Sequence, residues 1–176
     1  MPKAEAFVQV VIDAEMRERA RRIAAERQIQ RTRASPVDAY VGALGELVWA
    51  KLRYGEVGRR CVLLGAKGQV DDISPKAQIE IKTSKTAVHE GAHLMVREGY
   101  ARARQPTAYV LVLIPEGQAD FEEKVAFVCG WATHEEVLAG QLKERRSHKT
   151  GSAQGYRCYE IAARDLHPIK KLLAAL

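Results

Sequence analysis

The residues with chemistry to offer lie in one stretch of this sequence. Asp71 and Asp72 form an acidic pair, Ser74-Pro75-Lys76 turns the chain, and Gln78 to Thr83 (QIEIKT) alternates in the manner of a strand. Alternation puts Glu80 and Lys82 side by side on one face and Ile79 and Ile81 on the other. Upstream, Glu46 sits in a helical pattern with Gly42 and Gly45 before it. Carboxylates and an ammonium in this order are the parts needed for metal-assisted phosphodiester hydrolysis. Magnesium takes hard oxygen ligands and keeps several waters, so two or three carboxylates leave room for a phosphate and an attacking water. The ion lowers the pKa of that water and offsets charge on the phosphate. Lys82 is placed to hold the water or to touch a phosphate oxygen. Glu46 would complete the shell of the first ion or hold a second.

These residues need elements to carry them. Ser35 caps a helix, Pro36 suits its first position, and Asp38 completes a variant capping box before Val37, Tyr40, Val41, Leu44, Val48 and Leu52 repeat at helical spacing up to Gly55. Gly42 and Gly45 each cost about 1 kcal/mol relative to Ala in a helix interior, which calls for a compensating close approach. Glu46 points off the apolar stripe, along a face cleared of bulk. Cys61 to Leu64 and Gln69 to Ile73 read as extended, Glu98 to Ala103 as a short helix, and Ala108 to Ile114 (AYVLVLI) as a central strand buried on both faces. Lys124 to Cys129 is a further strand, Thr133 with Glu136 caps a short helix, and Lys143 to Gly155 is expected to be a mobile basic loop. Tyr156 to Ile161 and the amphipathic Ile169 to Leu176 close the chain, with Gly91 to Val96 ambiguous. Asp13 to Arg33 has only a narrow stripe of Met16, Ala20, Ile23 and Ala24 and is expected to be a charged surface helix. The fold class is α/β, a mixed central sheet flanked by helices, with an N-terminal charged extension (1–34) on one domain (35–176).

The order of a helix with Glu, a strand with Asp, then a strand reading Glu-x-Lys resembles the PD-(D/E)XK nuclease superfamily, over about two thirds of the chain. The helix 98–103 and the apolar strand 108–114 extend the likeness. It implies a restriction-endonuclease-like core and a Mg²⁺-dependent DNA nuclease, with Mn²⁺ able to substitute. Carried over, Asp72 or Asp71, Glu80 and the Ile81 carbonyl bind the metal and Lys82 serves the nucleophile. The family's Pro before its Asp is absent. Asp72, followed by apolar Ile73, is favoured narrowly, although a four-residue hairpin loop at 74–77 would set Asp71 opposite Glu80, and a shorter loop or a bulge would reverse that. The resemblance also allows a homodimer.

Bulk properties agree with a folded, cytoplasmic chain. Hydrophobic residues make up 47% and charged residues 28%, which argues against global disorder, and no apolar run is long enough to cross a bilayer. Cys61, Cys129 and Cys158 are scattered without a C-x-x-C pair, as buried thiols in a reducing compartment would be. The net charge of +6 favours a polyanionic partner. Lys85, Arg97, Arg102 and Arg104 are candidate phosphate contacts on DNA, and Lys143, Arg145, Arg146 and Lys149 form a second basic cluster. Two rival readings stand: a nucleic-acid-binding module of the same fold without catalysis, and a zinc metallopeptidase through His89-Glu90-x-x-His93, which a central Gly91 makes a poor helix. Phosphate-binding and dinucleotide loops are absent.

Overall fold

The computed structural model describes residues 7–29, 35–55, 71–73, 76–119, 121, 123–146 and 155–176. Its elements in chain order are β1 (Val8–Val11), α1 (Ala14–Ile29), α2 (Pro36–Tyr54), β2 (Asp72–Ile73), β3 (Gln78–Lys85), β4 (His93–Arg97), α3 (Glu98–Ala103), β5 (Ala108–Ile114), β6 (Val125–Thr133), α4 (His134–Ala139), β7 (Gln141–Arg145), β8 (Tyr156–Ala162) and α5 (Ile169–Ala175). A mixed α/β architecture results. The main sheet runs β1-β6-β5-β3-β2, with β3 and β5 parallel and the other pairs antiparallel.

β5 explains the layering. All seven of its residues are buried, and alternation divides them between two cores. Val110, Val112 and Ile114 join Leu44, Leu47, Val48 and Trp49 of α2, Ile169 of α5, and Met16, Ala20 and Ile23 of α1. Tyr109, Leu111 and Leu113 join Leu94 and Val96 of β4, Ala101 of α3 and Val137 of α4. One face of the sheet is therefore covered by helices. The other is covered by α3, α4 and a second sheet of order β4-β8-β7.

Local signals read from the sequence reappear as contacts. The Ser35 side chain accepts from the Asp38 N–H, and Gly55 closes α2 at φ 75°, a left-handed conformation suited to glycine. Thr133 and Glu136 form a full capping box at α4. Three expectations are corrected. Helix α1 is no loose extension, because its narrow stripe of Met16, Ala20 and Ile23 packs into the same core as α2, with Met16 and Ala20 fully buried. Lys143 and Arg145 belong to strand β7, paired with β8, rather than to a loop. His93 to Arg97, left ambiguous, is a strand. The strand expected at 61–64 lies outside the described residues, as do 147–154.

Of the two glycines ahead of Glu46, one answers the call for close approach. A Cβ on Gly45 would stand 1.8 Å from Thr83 Oγ1 and 2.8 Å from Thr83 Cβ, so α2 touches β3 here. A Cβ on Gly42 would meet nothing within 4 Å. Gly45→Ala should thus destabilise by about 1–3 kcal/mol through overpacking, whereas Gly42→Ala should stabilise by roughly 0.5–1 kcal/mol through helix propensity. Urea unfolding of the two variants checks this, and equal effects at both positions would refute the close-approach account.

Candidate active site

Hairpin register assigns the two aspartates. Ile73 pairs with Gln78 and Asp72 with Ile79, so the connecting loop has the four-residue length that sets Asp71 opposite Glu80. Neighbouring residues of an extended chain point to opposite faces, and the two carboxylates go to different work. Asp72 is buried behind the sheet, where Oδ2 accepts from Trp49 Nε1 at 2.7 Å and from Arg53 Nη1, and Oδ1 accepts from the Tyr54 hydroxyl at 3.0 Å. Every one of those donors comes from the last turns of α2. Asp72 is a structural anchor bound to α2, and of the two aspartates it is Asp71 that lies on the Glu80 face.

Asp71 faces the other carboxylates. Its Oδ2 accepts from the Ile81 N–H at 2.7 Å, and since a strand residue turns N–H and C=O to the same side, the Ile81 carbonyl is directed to this edge as well. Burial, then the negative charges of Glu46 and Glu80, push the Asp71 carboxyl well above the usual range, and the Ile81 N–H and Lys82 only partly oppose this. Glu80 is buried too, at 6% exposure. Its Oε1 accepts from Lys82 Nζ at 2.7 Å, while its Oε2 is buried without a hydrogen-bond partner. A buried carboxylate oxygen with no donor, next to a carboxyl strained by like charge, suits a hard cation. Asp71, Glu80 and the Ile81 carbonyl are the groups that would hold Mg²⁺, with water filling the remaining positions.

Glu46 stands differently. Arg27 of α1 grips it as a fork, Nη1 to Oε1 at 2.9 Å and Nη2 to Oε2 at 2.7 Å. Burial raises the Glu46 pKa despite this partner. Among the described residues, no three Asp, Glu, His or Cys side chains surround one point as ligands. Arg27 escaped the sequence reading, yet it left a trace. Met16, Ala20, Ile23 and Arg27 are spaced four, three and four residues apart, so a charge occupies the position where the buried stripe calls for an apolar residue.

Lys82 has a second support that sequence did not suggest. Its ammonium lies 4.1 Å from the centroid of the Tyr100 ring, and the Arg104 guanidinium 4.6 Å from the same ring. The Tyr100 hydroxyl is buried against Glu80 and Arg104, and burial followed by the Glu80 charge pushes its pKa up. The α3 helix therefore supplies an aromatic shelf under the site. Arg104 belongs with the site, while Arg102 is exposed and bound to Glu98 at 2.6 Å, turned to other business.

An open groove of about 1190 Å³ runs beside β3, lined by Gly42 of α2, by Ser84 and Lys85, by His89 and His93, and by Arg97, Arg145 and Arg146 of the small sheet and its end. Lys85 and Arg97 thus sit on its walls. Arg145 is also engaged with buried Glu160, Nε to Oε1 at 2.6 Å. The His89 to His93 segment turns at 90–91 and enters β4, so the one-face helical geometry of a zinc H-E-x-x-H is not formed. No helix among the described residues is long and apolar enough to cross a membrane. Comparison with protein-family models, curated proteins and solved structures finds no match to this chain.

The unequal aspartates give a paired prediction. A carboxyl whose pKa is raised by folding is stabilised there by its proton, so stability declines as pH rises from the ordinary aspartate range through the raised value. Asparagine, which carries no charge to bury, escapes that decline. Asp71→Asn should therefore melt no lower than wild type in metal-free buffer at pH 7, and should lose the rise in Tm that Mg²⁺ gives wild type. Asp72→Ala leaves Arg53 buried without a counter-charge and should cost about 3–5 kcal/mol. Melting curves with and without Mg²⁺ decide, and an Asp71→Asn protein as unstable as Asp72→Ala would reverse the assignment.

Proposed function

We propose that this chain is a Mg²⁺-dependent DNA nuclease, hydrolysing phosphodiester bonds at the edge shared by β2 and β3. The observation that carries the reading is that β3 sets buried Glu80, with Lys82 on one of its oxygens, opposite Asp71 at the same sheet edge. The ion, when bound, supplies a water of lowered pKa and offsets the charge building on the phosphate. The residues do the rest. Asp71, fixed by the Ile81 N–H, and Glu80 present oxygens from neighbouring strands at a spacing that sheet register holds constant. Lys82 is held between Glu80 and the Tyr100 ring, ready to orient the attacking water or to meet a non-bridging phosphate oxygen.

The polyanionic substrate is placed along the groove beside β3, whose walls carry Lys85, Arg97, Arg145 and Arg146 as well as Asp38, Glu116 and Glu144. Lys85 and Arg97 on its walls offer phosphate contacts from two different layers, and Arg104 stands by the aromatic shelf. Contacts of this kind hold the backbone of DNA in register without reading its bases.

Plasmid nicking tests the proposal. Wild type should nick supercoiled DNA in Mg²⁺ or Mn²⁺ and not in EDTA, and Lys82→Ala and Glu80→Gln should each lose about 10²–10³-fold in rate, as when one charge-stabilising contact is removed. Arg97→Ala should weaken DNA binding and reduce its salt slope by about one, which Arg102→Ala should not. Absence of metal-dependent cutting on supercoiled, branched and single-stranded DNA alike would sink the reading.

A further inference from the structure

Register in the small sheet decides what its outer face carries. Leu94 and Val96 of β4 turn inward to the core under β5, as do Tyr159 and Ile161 of β8. Alternation therefore sends Met95 and Arg97 of β4, Tyr156 of β8 and Arg145 of β7 to the opposite face, with Arg145 directly across from Tyr156. All four of these outward residues line the open groove, and α2 lines it from another side with Val37 and Asp38.

The lining mixes charge with surface that water does not favour. Arg97 holds its guanidinium 4.6 Å from the centroid of the Tyr156 ring. Met95 on the same face is 40% exposed and Val37 of α2 61%, so apolar surface is left open among charges. Those charges are of both signs. Asp38, Glu116 and Glu144 offset the cations of the groove, and Arg145 is held in part by buried Glu160. A duplex turns its base faces inward and presents its phosphates, so it would meet these acids and leave Met95 and the Tyr156 ring without a partner. A single strand offers both what a guanidinium takes, a phosphate, and what a ring or thioether takes, the flat face of a base.

The groove also adjoins the candidate active site. Thr83, Ser84 and Lys85 continue β3 directly from Lys82, and Arg97 ends β4 immediately before α3, which carries Tyr100 beneath the Lys82 ammonium. We propose that this groove takes one strand of DNA with its bases unpaired, the Tyr156 ring, the Arg97 guanidinium and the Met95 side chain forming the platform on which a base rests, and that an intact duplex is the poorer ligand. The proposal rests on the nuclease reading and names the form of DNA on which that site works. Nicking of supercoiled plasmid is expected on the same ground, because negative supercoiling favours local opening of the strands.

Fluorescence anisotropy in EDTA, where binding is read without cutting, tests this on the full chain with three labelled probes of equal length: an oligothymidylate, a duplex, and a strand of abasic sugar-phosphate units. Wild type should bind the oligothymidylate about tenfold more tightly than either of the others, the scale of one stacked base. Tyr156→Ala should lose about tenfold on the oligothymidylate and less than about twofold on the abasic strand, while Tyr156→Phe, which keeps the ring, should bind as wild type does. Leu138→Ser, at an exposed apolar residue of α4 outside the groove, should leave all three affinities unchanged. Equal affinity for oligothymidylate and abasic strand, or a duplex bound as tightly as the oligothymidylate, would overturn the proposal, and neither result needs a variant that folds. A Tyr156→Ala protein that melts as wild type does and keeps its affinity for the oligothymidylate would overturn it as well. Preference for the single strand with no metal-dependent cutting of any DNA would defeat the nuclease reading alone, and metal-dependent cutting without that preference would defeat this proposal alone.

Discussion

A strand sends neighbouring side chains to opposite faces, and the rest of this structure is arranged around that rule at residues 71 and 72. One carboxylate goes to the helix side and satisfies Trp49, Arg53 and Tyr54; the other goes to the site. The first makes the second possible. Asp71 is held among like charges, a position that gains nothing for the fold, and its backbone is kept there because Asp72 ties β2 to the end of α2. A hairpin one residue shorter or longer would exchange the two roles and leave Arg53 without its partner. Anchor and working group are therefore adjacent in sequence and separated by the thickness of a sheet.

The second constraint is the cost of buried charge. Each acidic group in the site has a different answer to it: Glu46 takes an arginine fork, Glu80 takes one lysine contact and keeps one oxygen bare, and Asp71 takes a backbone N–H and retains its proton more tightly. Neutralisation is therefore graded from one carboxylate to the next. The cations are graded too. Arg27 is fixed by a docked helix, whereas Lys82 rests on an aromatic face that holds charge without neutralising it.

Sequence made the elements legible where a single local rule governs them. Ser35-Pro36 and Gly55 bounded α2, Thr133 with Glu136 opened α4, and AYVLVLI at 108–114 announced a strand covered on both sides. Alternation sufficed for Glu80 and Lys82. It did not suffice for Asp71, because both aspartates suit a strand and only pairing with β3 distinguishes them. The small sheet was missed because β7 (QLKER) lies along an outer edge, where polar residues are tolerated and the apolar signal fades. Arg27 and Tyr100 were missed for a deeper reason. Their importance comes from which surface α1 and α3 dock against, and that is tertiary information which propensity and period do not carry.

The sequence spacing of the site's contacts bears on how the chain finds its fold. Arg27 and Glu46 are 19 residues apart, as are Arg53 and Asp72, and Asp71 reaches Ile81 across 10. Short separations close at small entropic cost, so these contacts belong to the fast, local part of folding. The β1–β6 pairing, by contrast, joins Val8 to Val128 and must wait for most of the chain. β1 and β6 stand at the far end of the sheet from β2, so the shortest-range contacts of the site and the longest-range pairing of the chain are made at opposite ends of one sheet.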